Sequence, residues 1–225
     1  MPPIDTHLNP THACHLATVV DVQDPQNLAR VKVRLLTVDG EGQAEIWARV
    51  AVPFAGADRG ALFIPDVGDE VLINFVAGDS RFPIVIGGLW NGNAGPPETF
   101  SGNRVDRWTI TGKAGTRIAI IEESEGTAKI VLETPSGVKG TFTDEGTGSI
   151  KFEDTSGNSI TMDAQGVTIQ ASGKVSVSAS QVQVSAGMVS VDAGMSNFSG
   201  VVKCDTLITN AVVSPSYTPG AGNIW

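Results

Sequence analysis

Histidine, cysteine and tyrosine are nearly missing from this chain, and their scarcity removes several function classes at once. Its 225 residues hold three histidines, two cysteines and one tyrosine. Cys14 and Cys204 stand far apart, so no disulfide framework can be drawn and both are read as unpaired thiols. The histidines, His7, His12 and His15, all fall within the first fifteen residues, which leaves no Ser-His-Asp constellation for nucleophilic catalysis. Long apolar runs are absent too: nothing approaches the ~20 residues of a membrane-spanning helix. The opening Met-Pro-Pro-Ile-Asp has neither the basic start nor the apolar stretch of a secretory signal, so folding in the cytoplasm is expected. Positive charge is short, with 15 Lys and Arg against 24 Asp and Glu, a net charge of -9. A chain of pI about 4.7 lacks the clustered cations that neutralise a phosphate backbone, so nucleic acid is not an expected partner.

What is present is a 41% hydrophobic composition, enough for a real core, carried in short β-branched runs separated by glycine and proline. Residues 92–107, GNAGPPETFSGNRVDR, separate two kinds of sequence. Before them, 16–22 and 30–36 read as a hairpin around the turn Asp24-Pro25-Gln26-Asn27, with further strands expected at 46–52, 61–64, 70–76 and 83–90. Five or six short strands without a helix predict a small closed β-barrel, because closure removes exposed edges.

After the boundary the chain alternates apolar and small polar residues in bursts: 118–121, 129–133, 150–154, 160–164, then VTIQA, VSVSA, VQVSA and VSVDA starting at Val167, Val175, Val182 and Val189. A seven-residue spacing invites a coiled coil. However, the apolar residues recur at i, i+2 and i+4, the filler is Ser and Gly, and flanking charges are missing. The pattern predicts strands of about five residues joined by two- or three-residue corners. Such strands leave unpaired edges and must be completed by further coils of one chain or by other chains. The small residues Ala171, Ala179, Ala186, Ala193 and Gly200 at the fifth positions suit a narrow axis, and the repeat alone leaves one chain or three open.

The stretch 65–98, PDVGDEVLINFVAGDSRFPIVIGGLWNGNAGPPE, with 47–56 before it, resembles the oligosaccharide-binding-type (OB) barrel of contractile-tail spikes: phage baseplate assembly protein V and the valine-glycine repeat spike of type VI secretion. The resemblance rests on Trp47 and Arg49, on Pro65, Gly68, Asp69 and Glu70, on Gly78 and Asp79 before Pro83 and Gly87, and on the exit Trp90-Asn91-Gly92. It implies an all-β homotrimer, three OB barrels followed by an intertwined β-helix or β-prism needle. That needle would belong to a virion baseplate or injection particle and be attached through its barrels to a hub or tail tube protein. At a strand spacing of roughly 4.7 Å, about ten bursts predict a shaft on the order of 50 Å. The expected divisions are an arm over 1–15, the barrel over 16–91, a linker over 92–108, the shaft over 109–211 and a closing segment over 212–225.

The motif residues also have structural readings. Gly68 and Gly78 supply turn conformations, Pro65 and Pro83 strand starts, Trp47 and Trp90 a plug or lid for the barrel, and Asp66, Asp69, Glu70 and Asp79 turn-capping hydrogen bonds. Some spikes of this kind carry an enzyme between barrel and needle. About fifteen residues separate Trp90 from Trp108 here, too few for a catalytic domain. Glu122 and Glu123 are adjacent, so in a strand they point apart and read, with Glu125, as a polar corner. His7, His12, Cys14 and His15 match no zinc spacing, and no metal or cofactor is expected. Relatives that end in an iron-binding His-x-His are not matched. Instead Tyr217, Pro219 and Trp225 lie in a segment expected to close the needle or to seat a tip protein of the proline-alanine-alanine-arginine repeat type. The expected function is a non-enzymatic spike that punctures a target envelope, with transient membrane contact. The alternatives are a tail-spike β-helix acting on polysaccharide, which would need exposed carboxylates and aromatics along the shaft, and an oligonucleotide-binding barrel.

Overall fold

The structure is a computed structural model that describes residues 13–36, 45–100 and 102–215. Its compact units are residues 1–174 and 175–225.

The first unit begins with a barrel. In chain order its strands are β1 (His15–Asp21), β2 (Val31–Leu35), β3 (Glu45–Val50), a two-residue hairpin of β4 (Ala55–Gly56) and β5 (Arg59–Gly60), β6 (Glu70–Phe75) and β7 (Pro83–Leu89). They close in the order β1-β2-β3-β7-β6, every pairing antiparallel except β3 with β7. Alternation explains the closure. Ala17 and Val19, Val31, Val33 and Leu35, Val71, Ile73 and Phe75 point inward at every second position and are buried with Ala48 and Val85. Each such large side chain contributes about 1.5–3 kcal/mol when fully withdrawn from water. The β1–β2 turn is held by Asp24, whose carboxylate accepts the N–H groups of Gln26, Leu28 and Arg30 and the Arg30 guanidinium. A strand expected over 61–64 does not form. The Ala61 N–H reaches back to the Phe54 carbonyl and the Phe63 N–H to the Ala61 carbonyl, which folds the segment into a turn with Leu62 and Phe63 exposed.

Seven five-residue strands come after the barrel: β8 (Arg107–Thr111), β9 (Arg117–Ile121), β10 (Lys129–Glu133), β11 (Lys139–Thr143), β12 (Ser149–Glu153), β13 (Ser159–Asp163) and β14 (Gly166–Gln170). Each pairs antiparallel with the next, so the all-β class and the barrel-then-strand-series order read from the sequence are what the chain adopts. β11 is absent from the bursts read in the sequence because Gly140 interrupts its alternation. The site needs that glycine: a Cβ there would sit 3.1 Å from two Phe152 ring carbons. Gly140→Val is therefore expected to destabilise the sheet by about 1–3 kcal/mol, as overpacking does. Urea unfolding of the full chain followed by Trp fluorescence reads this, and an unchanged midpoint would refute the packing account.

Strand pairing divides the strand series from the remainder of the chain. From β8 to β12 most strands are followed by turns of five residues, in which Gly137 and Gly157 take φ of 87° and 85° and Asp154 accepts the N–H groups of Ser156 and Asn158. That is room for a full reversal, and each of these strands finds its neighbours in its own chain. Beyond Gln170 the spacing drops to seven. At Ala179-Ser180, Ala186-Gly187 and Ala193-Gly194 the chain bends without pairing on itself, whereas the two-residue turn Ala164-Gln165 between β13 and β14 still gives a full reversal.

The second unit, within its described residues 175–215, contains no paired strand. It has regular bends at Ser180, Gly187 and Gly194, then at Gly200, Asp205, Asn210 and Pro215. The corners thus fall seven residues apart, then six, and finally five. Gly, Asp, Asn and Pro at the later corners are turn formers, a shorter repeat that the valine pattern had concealed.

Candidate interaction surfaces

Cross-strand register in the first unit builds two unbroken apolar rows. One runs Trp108, Ile120, Ile130, Phe142, Ile150, Met162, Val167; the other runs Ile110, Ile118, Leu132, Gly140, Phe152, Ile160, Ile169. Phe142 and Phe152 meet edge to face at 6.1 Å between centroids. Every large member except Ile150 is exposed on the single chain. The opposite face is mainly polar, with Thr109, Lys129, Glu133, Lys139, Thr141, Lys151, Glu153 and Thr161 around a small buried apolar cluster of Ala119, Ile121 and Val131. An apolar face continuous across seven strands is far larger than the patches a monomer tolerates, and it calls for cover by further protein.

The segment before β8 is fastened to the polar side. Glu98 accepts from Arg117 at 2.8 Å, from Arg107 at 3.1 Å and from the Thr109 hydroxyl at 2.5 Å. Arg107 also meets Asp106 at 2.9 Å and Glu123 at 2.6 Å, and Arg104 donates to the carbonyls of Glu122 and Glu123. Burial pushes the Glu98 carboxyl up, but the Thr109, Arg117 and Arg107 donors outweigh it and hold the group at about 2. An ion pair between Lys113 and Asp66 ties the β8–β9 turn to the barrel. None of this network is legible in the sequence, where Glu98 falls inside the expected linker; the one signal is its place just ahead of Arg104 and Arg107 in an otherwise cation-poor chain.

The residues that carried the resemblance gather around β3, β6 and β7. Gly68 takes φ of 95° in the turn where Asp69 accepts the Asp66 N–H. Gly78, with φ of 73°, precedes Asp79, whose carboxylate accepts the N–H and guanidinium of Arg81 and is thereby held at about 2. Pro83 starts β7 and Gly87 lies within it; Pro65 precedes the Asp66 turn. Asn91 donates to Glu70 at 2.8 Å and its oxygen accepts the N–H groups of Asn93 and Ala94, with exposed Gly92 between them in sequence. Trp47 is half-buried on β3 with Arg30 over its ring, and Arg49 is exposed beside it. Trp90 does not plug the barrel: it is 69% exposed, because aliphatic side chains and Phe75 already fill the interior, and it lines a shallow depression with Phe63, Pro97 and Ile110. His15 lies on β1 against the Phe75 ring and Cys14 is exposed. His7, His12 and the closing-segment residues Tyr217, Pro219 and Trp225 lie outside the described residues.

A closed barrel ahead of a strand series with one continuous apolar face defines an all-β assembly subunit, built to be completed by other copies. Comparison with known families agrees. Residues 15–90 match the type VI secretion system/phage-baseplate injector OB domain, and residues 129–195 match the phage baseplate V C-terminal trimerisation domain. Together these span more than half of the chain, which belongs to the phage baseplate V family of central spike proteins and is a component of a phage baseplate or injection system. Neither matched domain is a catalytic one. Among similar proteins, the type VI secretion system spike protein VgrG2a of Pseudomonas aeruginosa is 36% identical over 80 residues, 34% of this chain and 9% of that protein. The spike protein VgrG3 of Vibrio cholerae is 37% identical over 79 residues, 32% of this chain and 8% of its own length. The actin cross-linking toxin VgrG1 of Vibrio cholerae is 36% identical over 61 residues, 27% and 6% of the two chains. The matched stretch is thus less than a tenth of each of these relatives.

Proposed function

We propose that three copies of this chain form a needle at the end of a contractile tail or injection particle, one that closes the tail tube and helps pierce the target envelope by transmitted force, without an enzymatic step. The observation that carries this reading is the bend repeat of residues 175–215, in which extended β-type sequence turns corners without pairing on itself. Unpaired strands need partners, and copies wound about one axis supply them. Shortening the corner spacing from seven residues to five removes about two residues, roughly 7 Å, from each side, so the wound copies would narrow toward the chain's end. Three interwound chains cannot leave one strand at a time, which suits a part that bears load. The small polar residues between the valines favour transient passage through a membrane over a charged exterior. In this reading the barrels meet a hub or tail tube protein and the far end meets a pointed tip protein.

The polysaccharide-acting alternative gains no support from the strand series, whose polar face presents no aromatic side chain among β8–β14. Native mass spectrometry of the full chain after heating in detergent tests the proposal. A surviving trimer mass is the expected result; a monomer would sink the interwound arrangement.

A further inference from the structure

Half of the chain's eight arginines, Arg30, Arg49, Arg59 and Arg81, line one groove on the barrel, a cavity of about 1120 Å³ bounded by β3, the β4–β5 hairpin and the start of β7. In a chain of net charge -9 this is a local reversal of sign. Two of the four are already neutralised: Arg30 by Asp24 at 2.6 Å and Arg81 by Asp79 at 2.5 Å. Arg49 and Arg59 are exposed, and neither forms an ion pair among the described residues. Arg59 is held over the backbone of Gly56, where a Cβ would come within 2.6 Å of its Nε. The lining holds one carboxylate, Asp58, against the four arginines, and the rest of the walls is largely apolar: Val50, Leu62, Ile64 and Phe82, with Leu62 77% exposed. Turn chemistry accounts for Arg30 and Arg81 through Asp24 and Asp79, but neither the turns nor the barrel core accounts for Arg49 and Arg59 beside them.

We infer that the groove is a docking site for an extended acidic segment of a partner protein, with an apolar side chain anchored beside Leu62 and carboxylates paired to Arg49 and Arg59. Charge complementarity carries the choice of occupant. Two unpaired guanidiniums set in an apolar trough offer bidentate sites for carboxylates and a dry anchor between them. Single-stranded nucleic acid fits less well, because it needs free aromatic faces for stacking. The Trp47 and Phe82 rings are already covered by Arg30 and Arg81, each at 5.6 Å from the ring centroid. The inference concerns the barrel alone and stands whether or not the needle punctures an envelope.

The test selects a random-sequence peptide display library on the full-length protein and measures the enriched peptides against two double variants, R49E/R59E and R49K/R59K, and against Leu62→Ser. Circular dichroism and native mass spectrometry check that each variant is folded and assembled as the wild type. The expected peptides combine Asp or Glu with Leu, Phe or Trp. Their affinity falls about tenfold or more in R49E/R59E and with added salt, falls in Leu62→Ser, and is largely kept in R49K/R59K. Leu62→Ser lies on the surface, so it reports on the groove even if the charge reversals disturb folding. Enrichment of neutral or basic peptides, affinity indifferent to R49E/R59E and Leu62→Ser, failure to enrich any peptide, or tighter binding of a mixed-sequence single-stranded oligonucleotide would each overturn the inference. So would a loss of assembly in R49E/R59E alone, which would show that a second copy fills the groove.

Discussion

Replacing Ile130 and Phe142 together by aspartate will abolish assembly, leaving a chain that sediments as a monomer or aggregates. These side chains are direct cross-strand partners in the middle of the first apolar row, and each stands more than a third exposed on the single chain. Covered by other copies, they would lie in a dry interior. A carboxylate buried there without a partner costs several kcal/mol, and three copies would bring six like charges together. The barrel, whose core lies in β1–β3, β6 and β7, should stay folded. Sedimentation velocity decides, with Thr141→Asp on the opposite face as the control that keeps the wild-type mass. If the double variant sediments and melts like the wild type, the apolar rows are not the contact between copies.

Removing the Glu98 carboxylate is expected to have the next largest effect. Glu98 is 17% exposed and faces two guanidiniums that are themselves about four-fifths covered. Holding its carboxyl at about 2 against an ordinary 4.5 corresponds to roughly 3 kcal/mol of stabilisation at neutral pH. The sign follows from the depression: the contribution is complete above about 4.5 and disappears as pH falls toward 2, where the folded group takes up its proton. Glu98→Gln should therefore melt well below the wild type at pH 7, and the two curves should converge as the pH approaches 2. Differential scanning calorimetry across that window reads the gap. Curves that stay parallel down to pH 2 would mean that the carboxylate does not hold the 92–106 segment against β8 and β9.

The resemblance could be drawn because it rests on local conformational needs. Gly68 and Gly78 mark left-handed positions, Pro83 marks a strand start, and both kinds of demand are visible in single residues. β11 went unread for the converse reason: Gly140 is set by the Phe152 ring from the next strand, a neighbour that only the register supplies. Trp90 misled because a large aromatic beside a barrel suggests burial, yet the barrel volume was already taken by residues spread over five strands.

By itself the sequence determined the class, the period and the corners. Apolar alternation every second residue dictates strands, and turn formers mark where the chain bends. These are properties of a few consecutive residues. Only the tertiary structure decided which strands adjoin, and with that the two apolar rows, the Glu98 network and the arginine groove. Each joins residues brought together by register and closure: Trp108 reaches Val167 across seven strands, and Arg30, Arg49, Arg59 and Arg81 reach one trough from separate parts of the barrel. Such neighbours lie far apart along the chain, and no local pattern encodes their meeting.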